Sequence, residues 1–317
     1  MNMSDCPYCN QIHQVGGMFC SRKDSFENLQ KLNSGIHILK SSNIETPDPH
    51  LTRLSMNFDL HGGLSFEVKG RKYELAKKRF LLLNYGTTAR SFLSASELHT
   101  TACIAFKVGL PEQMFHVITN SNEALLTNPY HSSNPFRVLE KMYDFDEAML
   151  FQITYVINGL LETRIKNDDI TESFYSQLLE SLITTQFKVN AEINSLIRTK
   201  WSTKVEIYSR LHWARDFIFD NHNRSITLVD IAKEACLSIH HFKRLFKEVF
   251  HCTPHEYLTK VRMEKALSLI HTTKLNINEI CKIVGFENAS SFIRRFKFYY
   301  NHTPSRLRAE ALHQKAA

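Results

Sequence analysis

The C-terminal part of this 317-residue chain contains the same pattern of residues twice. Seven positions of the first copy recur 50 residues later, and four positions upstream of them recur 49 residues later. The first set is Phe242, Arg244, Phe246, Lys247, Phe250, Thr253 and Pro254, which match Phe292, Arg294, Phe296, Lys297, Tyr300, Thr303 and Pro304. The second set is Leu228, Ile231, Ala232 and Leu237, which match Ile277, Ile280, Cys281 and Phe286. These matches predict a duplicated supersecondary unit within residues 227–307.

Each copy has the pattern of two short helices separated by a tight turn. Thr227 and Ser238 stand at expected N-cap positions in the first copy, and Asn276 and Asn288 do so in the second. Gly285 permits a sharp turn in the second copy. Apolar residues follow helical spacing, and polar or basic residues occupy the other face of the second helix in each copy. This arrangement predicts two helix-turn-helix units, whose second helix fits the major groove of DNA.

The net charge of +7 is concentrated in the same region. Residues 204–317 contain 19 Lys and Arg residues against 11 Asp and Glu residues, whereas residues 1–203 contain 20 against 21. A basic module joined to a nearly neutral one is typical of a nucleic-acid-binding domain attached to a domain that does not contact phosphates. The length also favours two domains over one.

Residues 204–308 resemble the DNA-binding domain of the AraC/XylS family. The segment PHEYLTKVRMEKALSLI at residues 254–270 is similar to the linker helix of that family. The segment VGFENASSFIRRFKFYYNHTPSRLR at residues 284–308 is similar to its C-terminal signature. The resemblance implies an all-α domain in which helix-turn-helix units at about 227–250 and 276–300 are joined by a linker helix.

The same resemblance implies which side chains contact DNA. The residues expected at base edges are His240, Lys243, Arg244, Ser290, Ser291 and Arg294. The residues expected at phosphates are Ser238, Lys247, Asn288 and Lys297, together with main-chain amides at the two helix starts. Arg244 and Arg294 are the strongest candidates for specific readout, because a guanidinium pairs bidentately with guanine. Serine side chains are short, so we expect the first recognition helix to dominate specificity.

Residues 36–108 have a different pattern, with short alternating segments rich in β-branched and aromatic residues. They predict antiparallel strands broken by turns, including one at Gly70-Arg71, and folded as a sandwich or barrel. In the AraC/XylS family this position is occupied by a cupin-like effector domain. Residues 64–92 resemble its central hairpin, although residues 77–79 read Lys-Lys-Arg where the family often has a Pro-Gly-Asp turn. The resemblance implies a cupin-like sensing domain at residues 35–145.

Helical periodicity dominates the segment between the two domains. Residues 146–200 predict helices that connect the domains, whereas residues 111–145 look irregular because they contain three prolines. Thr203 and Glu206 form a capping-box pattern that predicts the start of the DNA-binding domain. In the family the helices after the barrel often form the dimer interface, so the resemblance implies a homodimer.

The N-terminal residues 1–34 contain a cluster of possible metal ligands. Cys6, Cys9, His13 and Cys20 could in principle hold a tetrahedral zinc ion. The Cys-Pro-Tyr-Cys quartet also resembles a glutaredoxin motif, but the strand and helix that such a motif needs are not evident. The other interpretation is a tail whose cysteines share no role, and it leaves the protein without a predicted cofactor. Residues 309–317 are expected to be a second tail.

Other function classes find little support. A cupin-like barrel raises the possibility of a metal-dependent enzyme, but His61 and His99 are isolated in the sequence, and no His-x-His pair precedes the DNA-binding region. The chain contains no nucleophile elbow, no phosphate-binding glycine loop and no dinucleotide fingerprint. Without an apolar run of about 18 residues, we expect a cytoplasmic protein with no membrane partner.

Together these patterns predict an α+β two-domain protein, with an N-terminal antiparallel β-barrel followed by helices and a C-terminal all-α domain. The predicted function is sequence-specific binding of double-stranded promoter DNA by a transcriptional activator that works with RNA polymerase and responds to a small-molecule effector. Three other hypotheses stay open: a metal- or thiol-responsive regulator, a metal-dependent cupin enzyme fused to a DNA-binding domain, and a non-specific nucleoid-binding protein.

Overall fold

The computed structural model of the protein describes residues 34–45, 50–127, 136–162, 164, 170–196 and 200–316. The predicted cysteine cluster, Cys6, Cys9, His13 and Cys20, lies outside these residues. The chain divides into two compact units between Ala191 and Glu192.

The N-terminal unit is built on an antiparallel sheet with helices after it. The strands are β1 (Gly35–Glu45), β2 (His50–Leu51), β3 (Ser55–Asp59), β4 (Ser65–Val68), β5 (Arg71–Glu74), β6 (Arg79–Leu83), β7 (Thr88–Ala105) and β8 (Met142–Asp144). The helices that precede β8 are α1 (Leu110–Thr119) and α2 (Asn122–Thr127), and those that follow it are α3 (Glu147–Leu161) and α4 (Glu172–Ser195). The main strand order is β5-β4-β7-β3-β6-β8, and β1 and β2 also pair with β7.

The long strand β7 is the centre of this sheet. It spans 18 residues and pairs with β1, β2, β3 and β4. Ala102 and Ile104 pair with both β1 and β3, so this end of the strand is buried. Residues 88–101 belong to the region for which the sequence predicts strands, and they mix small, polar and charged side chains with Phe92 and Leu93. β1, β2 and β4 pair with residues between 88 and 94, and β1 pairs again from His99 onwards, so these ladders hold the stretch in the sheet.

Two turns of the sheet use left-handed residues, and one of them lies one residue earlier than predicted. The loop between β4 and β5 consists of Lys69 and Gly70, both with positive φ, so the predicted turn at Gly70-Arg71 was one residue late. Consecutive positive φ values suit a two-residue hairpin loop. Lys78 has φ 63° and takes the left-handed position of the next turn. Arg79 then opens β6 as a buried residue, with its Nε 3.3 Å from the carboxylate of Asp144 on β8.

The prediction that residues 111–145 are irregular was wrong for part of this segment. Helices α1 and α2 occupy Leu110–Thr119 and Asn122–Thr127. Pro111 lies in the first turn of α1, where the helix needs no amide hydrogen from it. A proline at that position starts a helix instead of breaking one.

The antiparallel strands were predicted correctly, but the closed barrel is not seen. Among the described strands, β5 and β8 stand at the two ends of the pairing order and do not pair with each other. The N-terminal unit is therefore a mixed unit of sheet and helices. Across the described residues, no helix combines the length and apolar character needed to cross a membrane.

The C-terminal unit is helical, as predicted. After the end of α4, its helices are α5 (Trp201–Asp220), α6 (Leu228–Glu234), α7 (Ile239–Phe250), α8 (Pro254–Thr272), α9 (Ile277–Ile283), α10 (Ala289–Tyr300) and α11 (Pro304–Ala316). Residues 309–316, expected to be a tail, continue helix α11. Helix α5 begins at Trp201, so Thr203 lies inside its first turn and the predicted capping box with Glu206 was wrong.

Two hydrophobic clusters show that the repeat is larger than the sequence pattern indicated. Leu211, Ala214 and Ile218 of α5 pack in one cluster with α6 and α7. The residues 52 positions later, Met263, Ala266 and Ile270 of α8, pack in the other cluster with α9 and α10. Each repeating unit therefore has three helices, α5-α6-α7 and α8-α9-α10. Leu258, near the start of α8, belongs to the first cluster, so α8 takes part in both cores.

Corresponding turns of the two units adopt the same left-handed conformation for different reasons. Cys236 has φ 51° and is exposed, whereas Gly285 has φ 84°. A Cβ atom on Gly285 would lie 2.7 Å from the carbonyl oxygen of His222. Close backbone approach, in addition to the positive φ, therefore requires glycine at residue 285.

We predict that Gly285→Ala destabilises the C-terminal unit by about 2 kcal/mol or more, through left-handed strain and the clash with His222. Cys236→Ala is the matched control and should change stability by less than about 0.5 kcal/mol, because the position is open and already non-glycine. Urea unfolding of the full chain, followed by tryptophan fluorescence, reports on this unit because both tryptophans, Trp201 and Trp213, lie in α5. Equal effects of the two changes would contradict the prediction.

Acid should weaken the helix caps of this unit. The carboxylates of Asp230 and Glu256 accept hydrogen bonds from the amide and hydroxyl of Thr227 and Thr253, and these bonds hold both pKa values below the ordinary ones. A depressed pKa means that the stabilisation is present above the unfolded pKa and is lost as pH falls through the folded pKa.

We therefore predict that the urea midpoint of the C-terminal unit, measured by tryptophan fluorescence, falls as pH is lowered below the ordinary Glu value of 4.5. Glu256→Ala should make this fall shallower. Glu264→Ala, a change on the exposed face of the same helix, is the control and should leave the slope unchanged. An unaltered slope in Glu256→Ala would show that this cap does not contribute.

Candidate nucleic-acid interface

The first helix-turn-helix, α6-α7, begins with a capping box and ends its first helix with a tight turn. Thr227 accepts from the amide of Asp230 at 3.2 Å, and the Asp230 carboxylate accepts from the Thr227 amide at 2.9 Å. At the other end, Leu237 donates its amide to the carbonyl of Ala232 at 3.1 Å. With Cys236 left-handed between them, this is a Schellman turn, which redirects the chain into α7.

The second helix-turn-helix, α9-α10, uses the same devices at matching positions. Asn276 accepts from the amide of Glu279 at 2.9 Å and forms the predicted capping box. Phe286 donates its amide to the carbonyl of Cys281 at 2.9 Å, with Gly285 in the left-handed position. Both units therefore present their second helix after the same turn.

Helix α7 is sharply two-faced. Phe242, Leu245 and Phe246 are fully buried. The other face exposes the acidic Glu248 and four basic side chains, which are His240, Lys243, Arg244 and Lys247. These four basic side chains are the three predicted base-contacting residues and one predicted phosphate-contacting residue of this helix.

Helix α10 is arranged in the same way, with a different set of exposed groups. Phe292 and Phe296 are buried. Of the predicted residues, Ser290, Arg294, Asn288 and Lys297 are exposed, and Ser291 is half-buried. The sequence of α10 contains no acidic residue, so nothing on the helix itself offsets its positive charge.

The starts of the two recognition helices differ in how their amides are used. Asn288 accepts from the amides of Ser290 at 2.8 Å and Ser291 at 3.2 Å. Within the described chain, Ser238 is at the N-cap of α7 but its side chain makes no such bond. The amides of α7 are thus better placed than those of α10 to receive a phosphate oxygen.

Three exposed residues of α10 were missed by sequence reasoning. Ile293 is 37% exposed and stands 50 residues after Lys243, so the repeat itself could have identified it. Arg295 is exposed beside Arg294, and Phe298 is 77% exposed one turn further on. Arg295 and Phe298 line a groove with Thr253 and Glu256 at the start of α8, whereas Ile293 stands at the position that matches a predicted base-contacting residue.

The two histidines considered for a barrel metal site are not isolated. Asp59, whose side chain is fully buried, lies 3.2 Å from Nδ1 of His99 and also accepts from the amide of His61 at 2.9 Å. The imidazole of His61 accepts from the amide of Thr100 at 2.9 Å, and its ring lies 5.4 Å from that of His99. These contacts engage the Nδ1 atom of each ring. Within the described ranges, no group of three His, Cys, Asp or Glu residues could hold a metal ion.

Comparison with known proteins places the repeated helices in a defined family. Residues 231–310 match the family described as a helix-turn-helix domain. The chain is 36% identical over 96 residues to the transposon Tn10 TetD protein of Escherichia coli, covering 30% of this chain and 70% of that protein. It is 30% identical over 163 residues to the lactose operon transcription activator of Staphylococcus xylosus, covering 49% of this chain and 58% of that protein.

Among solved structures, the C-terminal domain of the response regulator yesN from Fusobacterium nucleatum is 35% identical. That match covers 30% of this chain and 93% of the other chain, with a TM-score of 0.29. The chain spans less than two thirds of the curated relatives it matches first, 58% of the lactose operon activator and 34% of the Msm operon regulatory protein of Streptococcus mutans. The evidence for the family is the match to its helix-turn-helix domain and the identity to the TetD protein, of which this chain covers 70%. The chain belongs to the AraC/XylS family of transcriptional regulators.

Proposed function

We propose that the protein is a sequence-specific regulator of transcription that reads double-stranded DNA with α7 and α10. The observation that carries the proposal is the pair of helix-turn-helix units whose second helices bury matching phenylalanines and expose polar and basic side chains. The excess of basic residues in the C-terminal third supports a polyanionic partner.

In this proposal each recognition helix lies in a major groove, and the two grooves are successive turns of one face of the duplex, about 34 Å apart. His240, Lys243 and Arg244 contact base edges from α7, and Ser290, Ser291 and Arg294 contact them from α10. The phosphate contacts are those of Ser238, Lys247, Asn288 and Lys297. At Asn288 the side-chain oxygen already caps the helix. The side-chain nitrogen, Nδ2, is therefore the group proposed to contact a phosphate.

The first recognition helix is proposed to carry most of the specificity. Helix α7 exposes an imidazole, an ammonium and a guanidinium, all able to donate to base acceptors. Among the predicted residues of α10, Arg294 is an exposed guanidinium, Ser290 is a short exposed serine and Ser291 is half-buried. The second exposed guanidinium of this helix, Arg295, lines a groove with residues of α8. Ile293, exposed at the position that matches Lys243, suits the methyl group of a thymine.

The N-terminal unit is proposed to be a cupin-like sensing domain at residues 35–145, followed by a connecting segment at 146–200 and the DNA-binding domain at 204–308. The apolar side chains of the sheet, such as Leu64, Phe66 and Leu83, suit an apolar or small organic effector. Such an effector would shift the balance between DNA-competent and incompetent states and so let the regulator activate RNA polymerase. An effector that leaves affinity for the selected DNA unchanged would not fit this role.

Selection from random double-stranded DNA by the full chain at near-physiological salt tests the function. We expect enrichment of a site with two determinants about one helical turn apart. Uniform binding that depends on salt without any enriched sequence would contradict the proposal and indicate a non-specific DNA-binding protein.

On the selected site, we predict that Arg244→Ala weakens binding more than Arg294→Ala. Loss of a bidentate guanine contact costs about 1–3 kcal/mol, or roughly 5- to 150-fold in Kd, and should relax the preference for one base. Lys260→Ala on α8 is the control for loss of one positive charge and should change Kd by less than about threefold. A larger effect of Arg294→Ala, in titrations at fixed salt, would reverse the proposed dominance of α7.

We also propose that α3 contributes to a homodimer. Phe151 and Tyr155 lie one helical turn apart on α3 and are 74% and 66% exposed, which is unusual for aromatic residues outside an interface. Phe151→Glu should convert the dimer to a monomer in light scattering, whereas the exposed neighbour changed as Gln152→Glu should not. A monomeric wild-type protein, or an unchanged mass in Phe151→Glu, would contradict this.

A further inference from the structure

The linker helix α8 carries an arginine that joins the two three-helix units. The Nε of Arg262 donates to the carbonyl of His222 at 2.8 Å, and its Nη2 donates to the carbonyl of Arg224 at 2.9 Å. Both carbonyls belong to the loop between α5 and α6, in the first unit. The same guanidinium lies 5.5 Å from the ring centroid of Phe286, which follows the turn of the second unit.

The second unit approaches the same loop through its own backbone. A Cβ atom on Gly285 would lie 2.7 Å from the carbonyl oxygen of His222, 3.0 Å from the carbonyl carbon of Asn223 and 3.0 Å from Nη2 of Arg262. The turn before α10 and the loop before α6 are therefore in contact. The guanidinium of Arg262 donates its hydrogen bonds to the loop beside that contact.

The counterpart of this arginine in the first unit behaves differently. Arg210 of α5 lies 52 residues before Arg262. Its Nη1 donates to the carbonyl of Cys236 at 3.3 Å, in the turn of its own unit, and its other contact is with Glu206 on its own helix. The same residue type thus stabilises a turn within one unit in the first copy and bridges two units in the second.

The position of Arg262 within α8 separates this contact from the cores. Leu258, one turn before it, belongs to the first hydrophobic cluster, and Met263, directly after it, belongs to the second. Arg262 itself is half-buried, and burial lowers the pKa of its guanidinium while the charge of Glu287 opposes this shift. Replacing its side chain removes the bridge and leaves both apolar clusters complete.

We propose that Arg262 is a positioning residue that fixes the offset between recognition helices α7 and α10, and so sets which spacing of two DNA determinants the protein accepts. This inference rests on the proposed function. Helix α6 connects the loop that Arg262 bonds to the turn before α7, and α10 begins four residues after Gly285. A shift of this loop against Arg262 and Gly285 would therefore move α7 relative to α10. The planar fork of a guanidinium holds both carbonyls in one orientation, which the single ammonium of a lysine cannot do.

The test measures binding of the full chain to the selected site and to versions whose spacer is shortened or lengthened by one and two base pairs. Each added base pair moves one determinant by about 3.4 Å and turns it by about a tenth of a helical turn. We expect wild type to bind the optimal spacer at least about tenfold more tightly than its neighbours, since a rigid double reader loses one set of contacts.

In Arg262→Gln we expect this preference to fall to about threefold or less, with the loss of affinity confined to the optimal spacer. Arg210→Gln is the matched control, and it should keep the wild-type preference because its bond lies within one unit. Binding to DNA with a single determinant should be equal in wild type and Arg262→Gln. Arg262→Lys, which keeps the charge, should resemble Arg262→Gln.

The outcomes separate the two proposals. If wild type enriches no sequence, the proposed function fails. If wild type selects a site but tolerates every spacer, or if Arg262→Gln and Arg262→Lys both keep the wild-type preference, the positioning role is wrong and the function stands. Tryptophan fluorescence on urea unfolding checks that each variant is folded, and Arg262→Lys decides the matter if the glutamine variant is not.

Discussion

Two pairs of buried phenylalanine rings determine how both recognition helices are presented. Phe242 and Phe246 have ring centroids 5.3 Å apart, and Phe292 and Phe296 have centroids 5.8 Å apart; all four side chains are fully buried. Residues four positions apart share one helix face, so burying both rings fixes the rotation of the helix about its axis. Each ring contributes about 1.5–3 kcal/mol, so the basic face cannot turn inward without losing much of the unit's stability. Burial of the apolar face therefore determines which side chains of each recognition helix are exposed.

The two units share this plan and differ where they meet each other. Cys236 and Gly285 adopt the same left-handed turn, but only residue 285 lies against the backbone at His222. Arg210 and Arg262 occupy equivalent helix positions, but one bonds inside its unit and the other bonds across units. The duplicated sequence therefore forms two similar three-helix units. The positions whose contacts differ between the copies form the contact between these units. Helix α8 thus serves both as the linker between the two three-helix units and as the first helix of the second three-helix unit.

The N-terminal unit shows how tertiary context overrides local pattern. Residues 88–101 carry many small and polar side chains, and they belong to one 18-residue strand because neighbouring strands pair along it. Pro111 starts a helix in a segment whose sequence predicts irregular structure. His61 and His99 are far apart in sequence and come within 5.4 Å of each other because β3 and β7 pair. Non-local pairing decided the long strand and the histidine contact, and a sequence window cannot contain it, whereas the helix start at Pro111 is a local effect.

By itself, the sequence determined the helical C-terminal unit, the two helix-turn-helix units and the exposed residues of α7, because helix periodicity, caps and a duplicated pattern are local signals. It did not reveal that the repeat extends to α5 and α8, since their matching residues are spaced by 52 positions and fall outside the 49- and 50-residue registers of the other matches. Nor could it place Arg262 against the carbonyls of His222 and Arg224, about 40 residues away. Hydrogen bonds between distant segments exist only after the cores have packed, so the tertiary structure alone decided how the two readers are joined.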